Sequence, residues 1–124
     1  KMCPVMTCLP YKHFDEAIEI ANTNLKMEGS GHTAGIHSNN QGNIIKAGDE
    51  ITISRLIVNA PCSITAGGSI QNGLSVTTTL GCGSWGNNSI SENLTYKHLL
   101  NISRIARMSP HVHVPTDEEI WAMN

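Results

Sequence analysis

The residues of this sequence best suited to chemistry fall in two glycine-rich stretches. Gly29, Ser30, Gly31, His32 and Thr33 put an imidazole on a turn. Glycine there lets the backbone take positive φ or approach a ligand closely. A histidine held that way can exchange a proton near neutral pH or donate a hydrogen bond to a developing oxyanion. The plainer alternative is a helix C-cap followed by an exposed histidine.

The second stretch runs Gly81-Cys82-Gly83-Ser84-Trp85-Gly86-Asn87-Asn88-Ser89. Its backbone N–H groups could meet an anion and its indole could stack on a ligand. It is no phosphate loop, because no Lys-Ser/Thr pair follows the glycines. Gly81, Gly83 and Gly86 fit the letters of the dinucleotide fingerprint, yet no βαβ unit with an acidic residue comes after them. A tight, rigid turn is the bland reading.

Thiols and imidazoles elsewhere offer less. Cys3, Cys8, Cys62 and Cys82 match none of the paired spacings of structural zinc sites, and a chain of this size does not need disulfide staples. Reduced, mostly buried thiols are expected. Neither Cys62 nor Cys82 has a basic neighbour in sequence to activate it. His111 and His113 would put two imidazoles on one face of an extended segment, but no third ligand stands nearby, so an exposed tail is expected.

These residues must be carried by regular elements. Residues 3–9 read as a short buried strand running into Pro10. Phe14, Ala17, Ile18, Ala21 and Leu25 form the stripe of an amphipathic helix over residues 14–25, with Asp15, Glu16 and Glu19 enriching its start. A strand over 33–38, a short helix over 39–47 ending near Gly48, and a branched apolar strand over 54–59 closed by Pro61 complete a βαβαβ order. That alternation favours a parallel or mixed sheet covered by helices. Residues 61–89 hold Gly67, Gly68, Gly73, Gly81, Gly83 and Gly86 with almost no charge, and read as a long, ordered loop system of functional type. A helix over 91–101 is expected to turn Leu99 and Leu100 to the core. The strict alternation of 102–108 is that of an edge strand with one wet face. Thr116 and Glu119 have capping-box spacing for a last helical turn.

Composition sets the outer limits. With 124 residues the chain makes one ordinary domain, and 40% hydrophobic against 15% charged residues predicts a packed chain rather than a disordered one. A formal charge of −2 and no basic run exclude a nucleic-acid footprint, and no apolar stretch is long enough to span a bilayer. A cytoplasmic location is expected, with a bacterial microcompartment as one such setting, and the sequons at Asn87, Asn93 and Asn101 are read as chance matches. The start at Lys1 inside an apolar segment, with only one Phe, two Tyr and two Trp, suggests a piece of a larger protein whose apolar surface meets something else.

Cys3-Pro4-Val5, the helix over 14–25, Gly31-His32-Thr33, Ile36-His37-Ser38, the run 54–59 with Pro61, and the run 80–93 resemble, in this order over most of residues 1–108, the CoA-acylating branch of the aldehyde dehydrogenase superfamily. That branch includes acetaldehyde, propionaldehyde and sulfoacetaldehyde dehydrogenases and the aldehyde half of bifunctional aldehyde-alcohol dehydrogenases. The resemblance implies an α/β fold corresponding to the C-terminal part of the catalytic domain (1–101), followed by an oligomerisation strand and tail (102–124). It implies oxidation of a small aldehyde with NAD or NADP through a cysteine-bound thiohemiacetal, the acyl group then passing to coenzyme A. The cofactor domain and the nucleophilic cysteine of the family precede the matched region, so the isolated chain is expected to be inactive and to bind no cofactor alone. His32 is placed beside the reactive cysteine as the catalytic histidine. Thr33, Gly81, Cys82, Gly83 and Ser84 would line the substrate and acyl pocket, and Asn59 would end a strand at its floor. No metal is implied, and a homo-oligomer is.

Two other readings compete: a non-catalytic binding or assembly module that keeps the glycine loops as a pocket, and a small metal protein using His111, His113 and a cysteine. The choice among aldehydes lies outside the sequence. Arg55 and Arg104 carry charge suited to an anionic one, but arginines at strand ends are ordinarily solvated.

Overall fold

Residues 5–122 are described in the computed structural model of the chain. Helix α1 (Phe14–Met27) forms on the apolar stripe, with Asp15 and Glu16 in its first turn at the positive end of the helix dipole and Ile18 as its buried residue. Beyond its end, Ser30 Oγ donates to the Leu25 carbonyl at 2.9 Å. The chain then enters β1 (Gly31–Ile36), crosses through α2 (Gln41–Glu50), and returns in β2 (Ile53–Val58). β1 and β2 pair in parallel, Thr33 opposite Arg55 and Ile36 opposite Val58, so α2 is the crossover that parallel strands require.

α2 starts where the Asn40 side chain accepts the Asn43 N–H at 3.2 Å. It runs through Gly48 to Glu50 instead of stopping near that glycine. A helix-interior glycine costs only about 1 kcal/mol, and Gly48 lies against Leu56 of β2, where packing decides. Asn22 of α1 locks the next connection, donating to the Glu50 carbonyl at 2.8 Å and accepting the Thr52 N–H at 3.0 Å. The Lys46 ammonium meets Asp15 across the two helices, and that bond holds it above the usual lysine range.

Alternation along β2 buries Ile53, Arg55 and Ile57 on the face opposite Leu56, which meets α2 at Gly48. The loop system covers that face. It opens with a short helix α3 (Cys62–Thr65), and Leu80 later forms an isolated antiparallel bridge with Asn93. The described buried apolar residues are Ile18, Ala47, Ile53, Ile57, Ala66 and Cys82, a small core for such a length.

The α/β class holds, but several expected elements do not form. Residues 3 and 4 lie outside the described set. Residues 5–9 are irregular, with Val5 and Met6 exposed, because no neighbouring strand is present among the described residues to give them a ladder. The same reason removes the edge strand at 102–108, where Ile105 and Met108 stand in the open. Among the described residues the sheet is two parallel strands in an αβαβ order, so of the parallel or mixed sheet expected the parallel form is seen, without the first and last strands. The helix expected over 91–101 shrinks to a 3-10 turn at Tyr96–Leu99, and Leu99 and Leu100 are exposed. Asn93 explains this: its side chain donates to the carbonyls of Ala66 (3.1 Å) and Ser75 (2.8 Å), which fixes an extended backbone and competes with a helix. At the tail, α4 (Asp117–Trp121) has the expected capping box. The Thr116 N–H first, and then His113, hold the Glu119 carboxyl below the usual carboxylate range. No described helix is long and apolar enough to cross a membrane.

Candidate functional site

The two glycine stretches meet in space. β1 begins directly on the backbone of the second stretch: Gly31 has φ +79, and a Cβ there would overlap the Cys82 carbonyl oxygen. Gly86 closes the contact from the other side, since a Cβ on it would overlap Cys82 Cβ and lie 3.1 Å from the Ser30 carbonyl. Cys82 is buried between them, and its N–H donates to Asn88 Oδ1 at 3.2 Å. Only glycine allows such approach, so the local sequence makes one unit of the two turns.

His32, held by a hydrogen bond from its N–H to the Gly29 carbonyl, is exposed at the edge of this unit. With Thr33 it lines an open cavity of about 700 Å³, together with Cys62, Ser63, Thr77 and Leu80. An exposed imidazole, a hydroxyl and a thiol on one hollow can exchange protons and hold a polar carbonyl. Ser84 faces elsewhere, lining a separate cavity of about 410 Å³ with Trp85, Gly83, Ser54 and Ser91. Asn59 belongs to neither. At φ +53 just past β2, it uses both ends of its amide on Ser38, accepting the N–H at 2.9 Å and donating to the carbonyl at 3.0 Å. That bracket ties the exits of the two strands.

Two residues gain a place that their sequence context hid. Cys62 is half-buried in α3 with its sulfur against Gly35 of β1, where a Cβ would lie 2.7 Å from it. Arg55 is not solvated but 5% exposed, its Nε donating to Thr33 Oγ1 at 3.0 Å and Nη1 to the Gly81 carbonyl at 2.8 Å. The signal for it was the alternation itself, which sets Arg55 between Ile53 and Ile57 on the buried face. Of the described thiols, Cys82 is buried, Cys62 intermediate and Cys8 exposed, so the expectation of mostly buried cysteines holds for Cys82 alone. Cys3 lies outside the described residues.

Gly81, Gly83 and Gly86 run into a 3-10 turn, Ser84–Gly86, rather than the N-terminus of an α-helix, so they do not fit a dinucleotide pyrophosphate. Among the described residues no three His, Cys, Asp or Glu are grouped to hold a metal ion, and His113 bonds Glu119 at 3.0 Å.

Comparison with known proteins completes the description. Residues 2–97 match the model of the aldehyde dehydrogenase family. The chain is 61% identical over 121 residues to the succinate-semialdehyde dehydrogenase (acetylating) of Clostridium kluyveri, covering 98% of this chain and 26% of that protein. It is 40% identical over 121 residues to a sulfoacetaldehyde dehydrogenase of Acholeplasma, covering 98% of this chain and 25% of that one. The crystal structure of an acetylating aldehyde dehydrogenase from Geobacillus thermoglucosidasius superposes with a TM-score of 0.72 at 34% identity, over 85% of this chain and 23% of that chain. The chain thus spans about a quarter of the length of the curated relatives it matches.

Proposed function

The chain belongs to the aldehyde dehydrogenase family, and from that premise we propose that it is the part of a CoA-acylating aldehyde dehydrogenase that closes the active site and docks the subunits. The complete enzyme converts an aldehyde, CoA and NAD(P)+ to acyl-CoA and NAD(P)H. The observation that carries this reading is the seating of the His32–Thr33 turn on the Cys82 backbone. That contact, made at Gly31, sets the neighbouring imidazole on a hollow lined by Thr33, Cys62 and Leu80.

Within the reaction, His32 takes the proton of the CoA thiol as its sulfur attacks the enzyme-bound thioester and the bond to the enzyme's cysteine breaks with that sulfur leaving as thiolate, or His32 donates a hydrogen bond to the carbonyl oxygen as charge develops there. Thr33 shapes the acyl side of the hollow, and the Gly81–Cys82 backbone supports the strand that carries it. On this reading the nucleophilic cysteine and the nicotinamide site come from protein outside this chain. The thin core and the exposed Ile102, Ile105, Met108 and Trp121 support a chain that packs on more protein.

Assay of the complete polypeptide tests the reading. NAD(P)H formation from aldehyde is expected to depend on CoA and to be matched by acyl-CoA. An enzyme that releases free acid with no response to CoA overturns it.

We also assign residues 102–124 to subunit docking, through addition of the 102–108 segment to a neighbour's sheet edge. Proline at position 105 removes a ladder donor. Ile105→Pro is expected to shift the complete enzyme to smaller species on a sizing column, and an unaltered elution volume speaks against pairing there.

A further inference from the structure

Arg55 presents a physical problem that the proposed chemistry does not use. The residue is 5% exposed, Nη2 has no hydrogen-bond partner among the described residues, and both acceptors the guanidinium does reach, Thr33 Oγ1 and the Gly81 carbonyl, are neutral. The described ion pairs join Lys46 to Asp15 and Glu50, His98 to Glu92, and His113 to Glu119, and none includes Arg55. Burying a cation against uncharged acceptors is costly, and an apolar side chain of similar volume fills such a place at no desolvation cost. What an arginine adds is direction, because its planar fork fixes two acceptors at a set angle.

Those two acceptors are the structural keys of the candidate site. Thr33 is the residue after His32 on β1, and Gly81 opens the glycine loop on which β1 is seated. The β1–β2 register sets Thr33 opposite Arg55. The Asn93 side chain holds the far side of the loop through Ala66 and Ser75, and the Gly81 N–H donates to the Glu92 carbonyl at 3.1 Å.

We propose that Arg55 is a positioning residue: its guanidinium clamps Thr33 to Gly81 and thereby fixes where the His32 imidazole stands against the glycine loop. This rests on the reading of His32 given above. Arg55 touches no reacting atom in this account and acts through His32. A misplacement of about 1 Å in a reacting group can cost roughly a hundredfold in rate, so the clamp matters far more to turnover than to ground-state binding of distant groups.

A double-mutant cycle on the complete enzyme tests this. Arg55→Met is expected to lower kcat by roughly 10- to 100-fold, with KM for NAD(P)+ changed by less than about twofold. Introduced into His32→Ala, the same change is expected to cost less than about a further twofold, because a residue acting through His32 has nothing left to position. Equal losses on both backgrounds, or an unchanged kcat in the single variant, overturn the proposal. Arg55→Lys keeps the charge but loses the fork, and the same cycle is run with it where Arg55→Met does not fold; its expected loss is about tenfold. Wild-type enzyme without CoA-dependent aldehyde oxidation refutes the functional reading itself, a result that the cycle does not touch.

Discussion

Replacing His32 by alanine in the complete enzyme is expected to lower turnover by roughly a hundredfold, the size of a lost acid–base group and equal to about 2.7 kcal/mol of transition-state stabilisation. The change should leave the fold alone. His32 is exposed, and its fixed hydrogen bond is made by its backbone N–H to Gly29, which alanine keeps. The melting temperature and KM for NAD(P)+ therefore stay near wild type while kcat falls. Dependence on CoA sharpens the result: if His32 takes the thiol proton, added CoA at higher pH, where more thiolate is present, restores part of the rate. Unchanged turnover moves His32 to a structural role and leaves the hollow without its base.

The second large effect concerns Gly31. Alanine at this position meets two penalties at once: a left-handed backbone, at φ +79, and overlap of its Cβ with the Cys82 carbonyl. The conformational term costs about 1–2 kcal/mol and the overlap about 1–3 kcal/mol, so a loss of about 3 kcal/mol is expected for Gly31→Ala. Because the clash is with backbone, relief requires β1 and the Cys82 loop to separate, and activity falls with stability. Gly73 supplies the control, with φ +69 and open space around the position of a Cβ. Gly73→Ala carries the first penalty only, about 1 kcal/mol. Denaturation midpoints of the two variants separate the terms, and equal losses would show that β1 does not sit on Cys82 as described.

How far the sequence was legible follows from where each segment finds its partners. α1 was plain because its stripe from Phe14 to Leu25 is local information, and Thr116 with Glu119 marked the last helix by the same kind of short-range rule. β1 and β2 were found within two residues of their ends, since branched apolar runs bounded by glycine or Asn-Ala-Pro need only a helix between them to pair in parallel. The two strands that do not form share one cause. Residues 5–9 and 102–108 have strand-like patterns, but a strand exists only in a ladder, and the described residues offer neither a neighbour.

Contacts distant in sequence hid the rest. Nothing near Asn93 reveals that its amide reaches Ala66 and Ser75 and spoils a helix. The resemblance puts Asn59 at the end of a strand by the pocket floor, and nothing in the sequence reveals that its amide brackets Ser38 there. A place near a strand end suggests a solvated Arg55, although its alternation with Ile53 and Ile57 puts it inside. The contact of the two glycine stretches at Gly31 and Cys82 is likewise long-range, and nothing in the spacing of either stretch reveals it.

On the proposed function, these 124 residues supply one wall and a proton-handling side chain, while nucleophile and cofactor belong to protein outside them. The most direct measurement compares the purified chain with the complete polypeptide under the same aldehyde, NAD(P)+ and CoA, reading NAD(P)H and acyl-CoA together. The account predicts matched formation of both by the complete polypeptide and neither by the chain alone. Acyl-CoA and NAD(P)H produced by the isolated chain would contradict it.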